Sequence, residues 1–255
     1  VMNDEVIIYW SPFVKGTKYL FDQTDIVSEL LFFEPEQVLK TLDAAEFFGD
    51  SAKRCPAIID ELKKTFAIRA PFPYYADIDY GAGDATFKYE YDEAFSRDMI
   101  GAPNETRMHQ LRYPAYLFFT EEPGLTMTQM PAYYTDNSFT RNTMILVGSF
   151  DISSWLRQVL PAFKFKQETI VDLKRGDIMM YYKFNTDKKI KLVQFDSDNH
   201  DTRKIIERCL QYKMHKERWW IPDKLTDLYA VFRNHSMHKR LIKIIKANSG
   251  DGRDD

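Results

Sequence analysis

Apolar residues in this chain fall mainly in short runs, many alternating with polar ones and separated by turn residues. A period of two marks strands. The densest such stretch runs from Asn142 to Phe195. Met144 to Val147 is a short apolar run rich in β-formers. Gly148-Ser149 breaks it, and Phe150 to Leu156 follows, with Trp155 expected to be mostly buried. Phe163, Phe165 and Ile170 alternate with Lys164, Lys166 and Thr169. Arg175-Gly176-Asp177 is a turn tripeptide, with Gly where a positive φ costs little. Ile178 to Phe184 is almost wholly apolar or aromatic, which predicts a strand covered on both faces. Beyond Asn185-Thr186-Asp187, Ile190, Leu192 and Gln194 point one way, and Lys191, Val193 and Phe195 the other. Strands of this length joined by short turns predict hairpins or a meander in a compact antiparallel unit.

The same patterns extend to both sides. Val6 to Trp10 predicts a first strand and Leu30 to Phe33 a second apolar run. Glu34-Pro35-Glu36 opens a helix reaching about Phe48, with Pro in the first turn and acids at the positive end of its dipole. Cys55-Pro56 opens a second helix, from Ala57 to about Thr65. Phe66 to Arg69 reads as a strand. Tyr75 to Tyr80 and Thr86 to Tyr91 predict a hairpin across Gly81 to Asp84. Tyr116 to Thr120 and Met127 to Met130 are strands on either side of Glu121-Glu122-Pro123-Gly124. Pro131 to Arg141 reads as an aromatic-polar loop. Asp196 to Asn199 is a capping signal for a helix from His200 to Arg218. Trp219-Trp220-Ile221-Pro222 breaks it, and a last helical stretch runs from Pro222 to Ala247 with an interruption near Asn234. A disordered tail is expected over 248–255.

Charge divides the chain in two. Residues 1–200 hold 22 Lys and Arg against 30 Asp and Glu, a net of −8, whereas residues 201–250 hold 12 against 5, a net of +7. An acidic body thus carries a basic C-terminal segment, which points either to an acidic partner or to attraction within the chain. The aromatic content, with 19 Phe, 15 Tyr and 4 Trp against 10 Gly, favours a β-rich core of large side chains. The division expected is a β-rich body over 1–198, a docked basic helical segment over 199–247 and the tail. No run is long enough to span a membrane. The acidic opening Val1 to Glu5 lacks the basic start of a secretory leader. Cys55 and Cys209 suggest no disulfide framework. A cytoplasmic setting, or a virion assembled in one, is expected.

Candidate chemistry is sparse. Asp77, Asp79, Asp84, Glu90, Asp92 and Glu93 cluster in one segment, but without an EF-hand pattern they read as a solvated strand face. His235 and His238 share a helical spacing and read as a surface pair without a metal-ligand set. Cys209 falls on the apolar side of its helix and reads as a core thiol. No nucleophile elbow, P-loop or dinucleotide fingerprint occurs. No cofactor and no metal are expected. The basic helices either bind nucleic acid or dock on the body. Docking is favoured because Trp219, Trp220, Tyr229 and Phe232 are costly to leave in water.

Gly148-Ser149-Phe150-Asp151, Trp155-Leu156-Arg157 and Arg175-Gly176-Asp177 before an aromatic strand resemble an uncharacterised protein family of tailed phages. Phe118 to Pro123, Cys55-Pro56 and Ile68 to Phe72 add to that likeness, which covers roughly residues 50–195. Gly148 and Asp151, three apart, also resemble the strand-turn that contacts deoxyribose in dUTPase-like β-clip proteins. Phe150 stands where that family has an aliphatic residue, and its phosphate motif and C-terminal flap have no counterpart here. The predicted elements make up a single α+β domain, an antiparallel β-sandwich or β-clip-like body with N-terminal helices and a C-terminal helical pair, the β-clip form being what the second resemblance implies. The function expected is that of a non-catalytic phage-type protein, a virion or assembly component or a host-directed factor, with a protein partner or a second copy of itself. A diverged β-clip nucleotide-binding protein or hydrolase using Gly148 and Asp151, and a nucleic-acid-binding accessory protein, are the alternatives.

Overall fold

The computed structural model describes residues 5–13, 32–41, 55–71, 73–78, 100–101, 108–111, 115–156, 158–166, 169–218, 231–234 and 236–248. The expected α+β class is observed. One sheet has β1 (Glu5–Pro12), β7 (Tyr116–Thr120), β11 (Gln158–Val159) and β15 (Lys189–Gln194), in the order β11-β7-β1-β15. A second has β2 (Glu36–Gln37), β3 (Thr65–Arg69), β8 (Thr126–Pro131), β10 (Gly148–Asp151) and β14 (Ile178–Phe184), in the order β10-β8-β14-β3-β2. Two smaller sheets complete the β structure of the described residues. One pairs β5 (Ile100–Gly101), β6 (Met108–Leu111), β12 (Ala162–Phe165) and β9 (Thr143–Ile145) in that order, and the other pairs β13 (Thr169–Leu173) with β4 (Tyr74–Ile78).

Alternation explains how the two large sheets pack. On β7, Tyr116 and Phe118 face one way, and Leu117 and Phe119 the other; all are buried. The inward set joins Ile8 and Trp10 of β1 and meets Phe66, Met127, Tyr182 and Phe184 of the second sheet. Phe118 sits edge-on to Tyr182 at 5.4 Å and to Phe184 at 5.7 Å, a favoured aromatic geometry. Phe163 and Phe165 of β12 and Val171 and Leu173 of β13 belong to the same core.

Each large sheet is also covered on its outer face. Helices α1 (Val38–Thr41) and α2 (Pro56–Lys64) place Val38 and Leu62 against Ala67 of β3 and Tyr181 of β14. Short helix α3 (Ser138–Asn142) lies between strands. On the other side, α4 (His200–Arg218), α5 (Val231–Asn234) and α6 (Met237–Asn248) bury Ile205, Ile206, Phe232, Leu241 and Ile245 against Tyr9, Leu117 and Phe119. Double coverage is why β7 and β14 read as unbroken apolar runs. Asn199 caps α4, its side chain accepting the Asp201 and Thr202 N–H groups. Ser236, at φ 54°, separates α5 from α6, close to the expected interruption.

Several local expectations are corrected. The turn after β14 crosses between the two large sheets instead of closing a hairpin, and the turn after β7 crosses likewise. The Lys188 ammonium, bound to the Glu122 carboxylate at 2.8 Å, ties those two crossings together. β1 and β15 pair in parallel, which requires no local turn. Glu36-Gln37 pairs with β3 before the helix begins, and Gly148-Ser149 lies within a strand instead of breaking one. In the apolar run before the helix, Phe32 packs edge-on to Tyr116 at 5.8 Å, and the Phe33 carbonyl accepts from the Tyr116 hydroxyl at 2.9 Å. Trp155 is largely covered, as expected, though not fully buried, and packs on Phe150 at 5.2 Å. His238 is buried, not on the surface, because its ring packs on Phe232. Tyr74–Ile78 pairs with β13, while the remainder of the predicted hairpin, most of its acidic cluster, Trp219, Trp220, Tyr229 and His235 lie outside the described residues.

Candidate functional site

β8 and β9 diverge, and a cleft opens between them beside exposed apolar surface. β10 pairs with β8 only over Thr126 to Gln129. At Pro131, which has no N–H to offer a ladder, β8 ends. The chain turns through Tyr133 and Tyr134 into α3, whose N-cap Asn137 forms a capping box with Thr140. Asn137 Nδ2 also donates to the Ile178 carbonyl at 2.7 Å, and Ser138 Oγ accepts from the Asp172 N–H at 3.0 Å. These bonds pin α3 between β13 and β14. β9 leaves α3 directly and pairs with β12, not with β8. Where the strands part, Gln129 Nε2 donates to the Leu146 carbonyl at 3.2 Å and bridges the gap.

The cleft has a volume of about 340 Å³, with Ala132, Ile145 and Met179 as its buried apolar part and Tyr133, Arg141 and Lys166 at its rim. Arg141 pairs with Asp136 at 3.2 Å, both exposed, so the pair contributes little to stability. Lys166 Nζ donates to the Arg141 carbonyl at 2.8 Å, holding the end of α3. Tyr133 packs on Tyr134 and Tyr181. Burial, with smaller contributions from Tyr134, Glu61 and Tyr181, pushes its phenol up to about 12, so it stays protonated at neutral pH. The cleft therefore offers stacking, apolar contact and hydrogen bonding.

Its second asset is backbone. The Leu146 N–H donates to the Ala162 carbonyl and the Lys166 N–H to the Asn142 carbonyl. These bonds make Ile145–Phe163 and Thr143–Phe165 the wide pairs of the antiparallel ladder. The N–H and C=O of Ile145 consequently point away from β12, and no other strand pairs with them among the described residues. Beside this edge, Met144, Leu146 and Val147 are 52%, 47% and 65% exposed, and Tyr133 is 48% exposed. Edges are normally guarded by charge. β15, one edge of the first sheet, carries exposed Lys189 and Lys191, whereas Thr143 to Ile145 of β9 include no charged residue.

The two residues singled out in the sequence lie elsewhere. Gly148 pairs with Gln129 in the ladder, and a Cβ there would meet only the Phe150 ring, at 3.6 Å. Asp151 Oδ1 accepts from the Ser153 N–H at 2.9 Å, the Ser153 hydroxyl at 2.6 Å and the Ser154 N–H at 3.2 Å. Burial raises the Asp151 carboxyl, but these hydrogen bonds outweigh it and hold the group below the usual range. The geometry is that of a side chain closing its own turn. Neither residue lines the cleft. No protein-family model, curated protein or solved structure matches the chain.

Proposed function

We propose that this is a non-catalytic protein-binding component, of the assembly or host-directed kind that its likeness to tailed-phage proteins suggests. It takes up an extended apolar segment of a partner protein by adding it as a strand to β9. The observation that carries this reading is the apolar edge of the cleft: exposed Met144, Leu146 and Val147 beside the outward N–H and C=O of Ile145, which is itself buried at the cleft wall. Main-chain hydrogen bonds supply affinity in such complexes, and pockets for alternate side chains supply selectivity. Here the cleft beside Ala132 and Met179 receives one side chain, while Tyr133 flanks it. The cleft's protonated phenol and ion-paired carboxylate fit binding better than proton transfer.

Selection of a random peptide library on the intact chain tests this reading. Bound peptides should share apolar residues at alternate positions. They should lose binding when alternate backbone amides are N-methylated, and again on the surface variants Met144→Glu and Val147→Lys. Peptides indifferent to N-methylation, or a selection without binders, would overturn the proposal.

A further inference from the structure

We propose that the outer face of α6 binds the phosphate backbone of a nucleic acid, independently of the β9 edge. The helix carries Lys239, Arg240, Lys243 and Lys246 and no acidic residue. Its apolar side is already committed, with Met237, Leu241, Ile242 and Ile245 buried in the core that it shares with the first sheet. All four cations are exposed on the opposite side. On α4, by contrast, Arg203 meets Asp198 and Glu207, and Lys204 meets Asp201. Among the described residues, no ion pair engages Lys239, Arg240 or Lys243.

Spacing and composition select the partner. Lys239, Lys243 and Lys246 follow an i, i+4, i+7 ridge about 10 Å long at a rise of about 1.5 Å per residue. That is the length of about three nucleotides along one duplex strand, at about 3.4 Å each. A protein interface needs a desolvated apolar or aromatic anchor at its centre. None of the exposed large apolar residues among those described lies on α6. A phosphate backbone requires only charge. Because the apolar side of α6 is occupied, the helix has none to insert into a lipid surface. The net −8 of residues 1–200 repels a polyanion and so favours contact through the basic C-terminal segment that contains this helix.

Fluorescence anisotropy of a short labelled DNA duplex with the intact chain tests the proposal. Between about 50 and 200 mM salt, Kd should rise about 40-fold if three phosphates are contacted and about 150-fold if four are. The variant Lys239→Gln/Arg240→Gln/Lys243→Gln should weaken binding at low salt at least about tenfold with its Tm unchanged, as surface substitutions leave the fold intact. The charge-matched control Lys63→Gln/Lys174→Gln/Lys191→Gln should bind like the parent. Absence of binding at low salt, a flat salt dependence, or equal losses in both triple variants would overturn the proposal. So would competition by polyglutamate as effective, charge for charge, as unlabelled DNA, since it would identify an acidic protein as the partner.

Discussion

Phe119→Ala tests the way in which the C-terminal helices are attached. Phe119 is fully buried at the centre of the first sheet, on the face turned to α4, α5 and α6. Its ring stacks on Tyr9 at 4.8 Å and meets Phe195 at 5.6 Å and Phe232 at 5.5 Å. An aromatic side chain buries about 150–250 Å², which at about 25 cal/mol per Å² sets an upper estimate of roughly 4–6 kcal/mol. Measured Phe→Ala losses in cores are about 3–5 kcal/mol, because the cavity collapses only in part. A loss of about 4 kcal/mol is therefore expected. For a chain of this size it corresponds to a fall in Tm of about 8–16 °C. Calorimetry and urea unfolding measure it, and an unchanged urea slope confirms that the unfolded state is unaffected. A double-mutant cycle with Phe232→Ala should give a coupling of about 0.5–1.5 kcal/mol. A Tm within about 2 °C of the parent would refute the packing of the helices on this face.

Three further outcomes follow from particular groups. Trp155→Ala, at a largely covered but not fully buried site beside Phe150, should cost about 1–2 kcal/mol, less than a core aromatic, and a thermal melt checks it. Burial holds the His238 imidazole below its usual range. The Phe232 carbonyl and Glu121 oppose that shift, and the Arg233 and Lys239 charges add to it. The folded state thus binds the proton less readily than the unfolded chain. His238 therefore favours folding fully above about pH 6.5, and that contribution is lost as pH falls below it. In His238→Gln, stability measured by urea unfolding should vary less over that window; an unaltered pH profile contradicts this. With magnesium present, deoxynucleoside triphosphates should remain intact, since Asp151 Oδ1 is engaged with Ser153 and Ser154. Turnover that disappears in Asp151→Asn would reverse that expectation and support a diverged β-clip enzyme.

The elements were largely legible in the sequence because their signals are local. Alternation marked β15, continuous apolar runs marked β7 and β14, and the Asn199 cap placed the start of α4. What connects them was not legible. A turn such as Glu121 to Gly124 has the same composition whether it closes a hairpin or crosses a sandwich, and partner choice is decided by the whole core. The parallel pairing of β1 with β15 joins residues far apart in the sequence and leaves no local trace. The cleft was hidden for a related reason. Met144 to Val147 has the composition of an interior strand, and its exposure arises only because β9 leaves β8 beyond Gln129. Gly148 and Asp151 drew notice through their spacing alone, and spacing does not show that a carboxylate oxygen is occupied by its own turn. For the basic segment, docking and nucleic-acid contact stood as alternatives. On α6 the apolar and cationic residues occupy opposite faces, so one helix has room for both.

Strand addition at β9 is tested most directly by amide hydrogen exchange at Ile145, with and without a peptide selected on the intact chain. In the free protein its N–H points away from β12 and should exchange faster than the Leu146 N–H, which donates to Ala162. Saturating peptide should slow exchange at Ile145 strongly and leave Leu146 little changed, because only the outward group gains a new acceptor. A peptide that binds while exchange at Ile145 stays as it was would contradict the proposal.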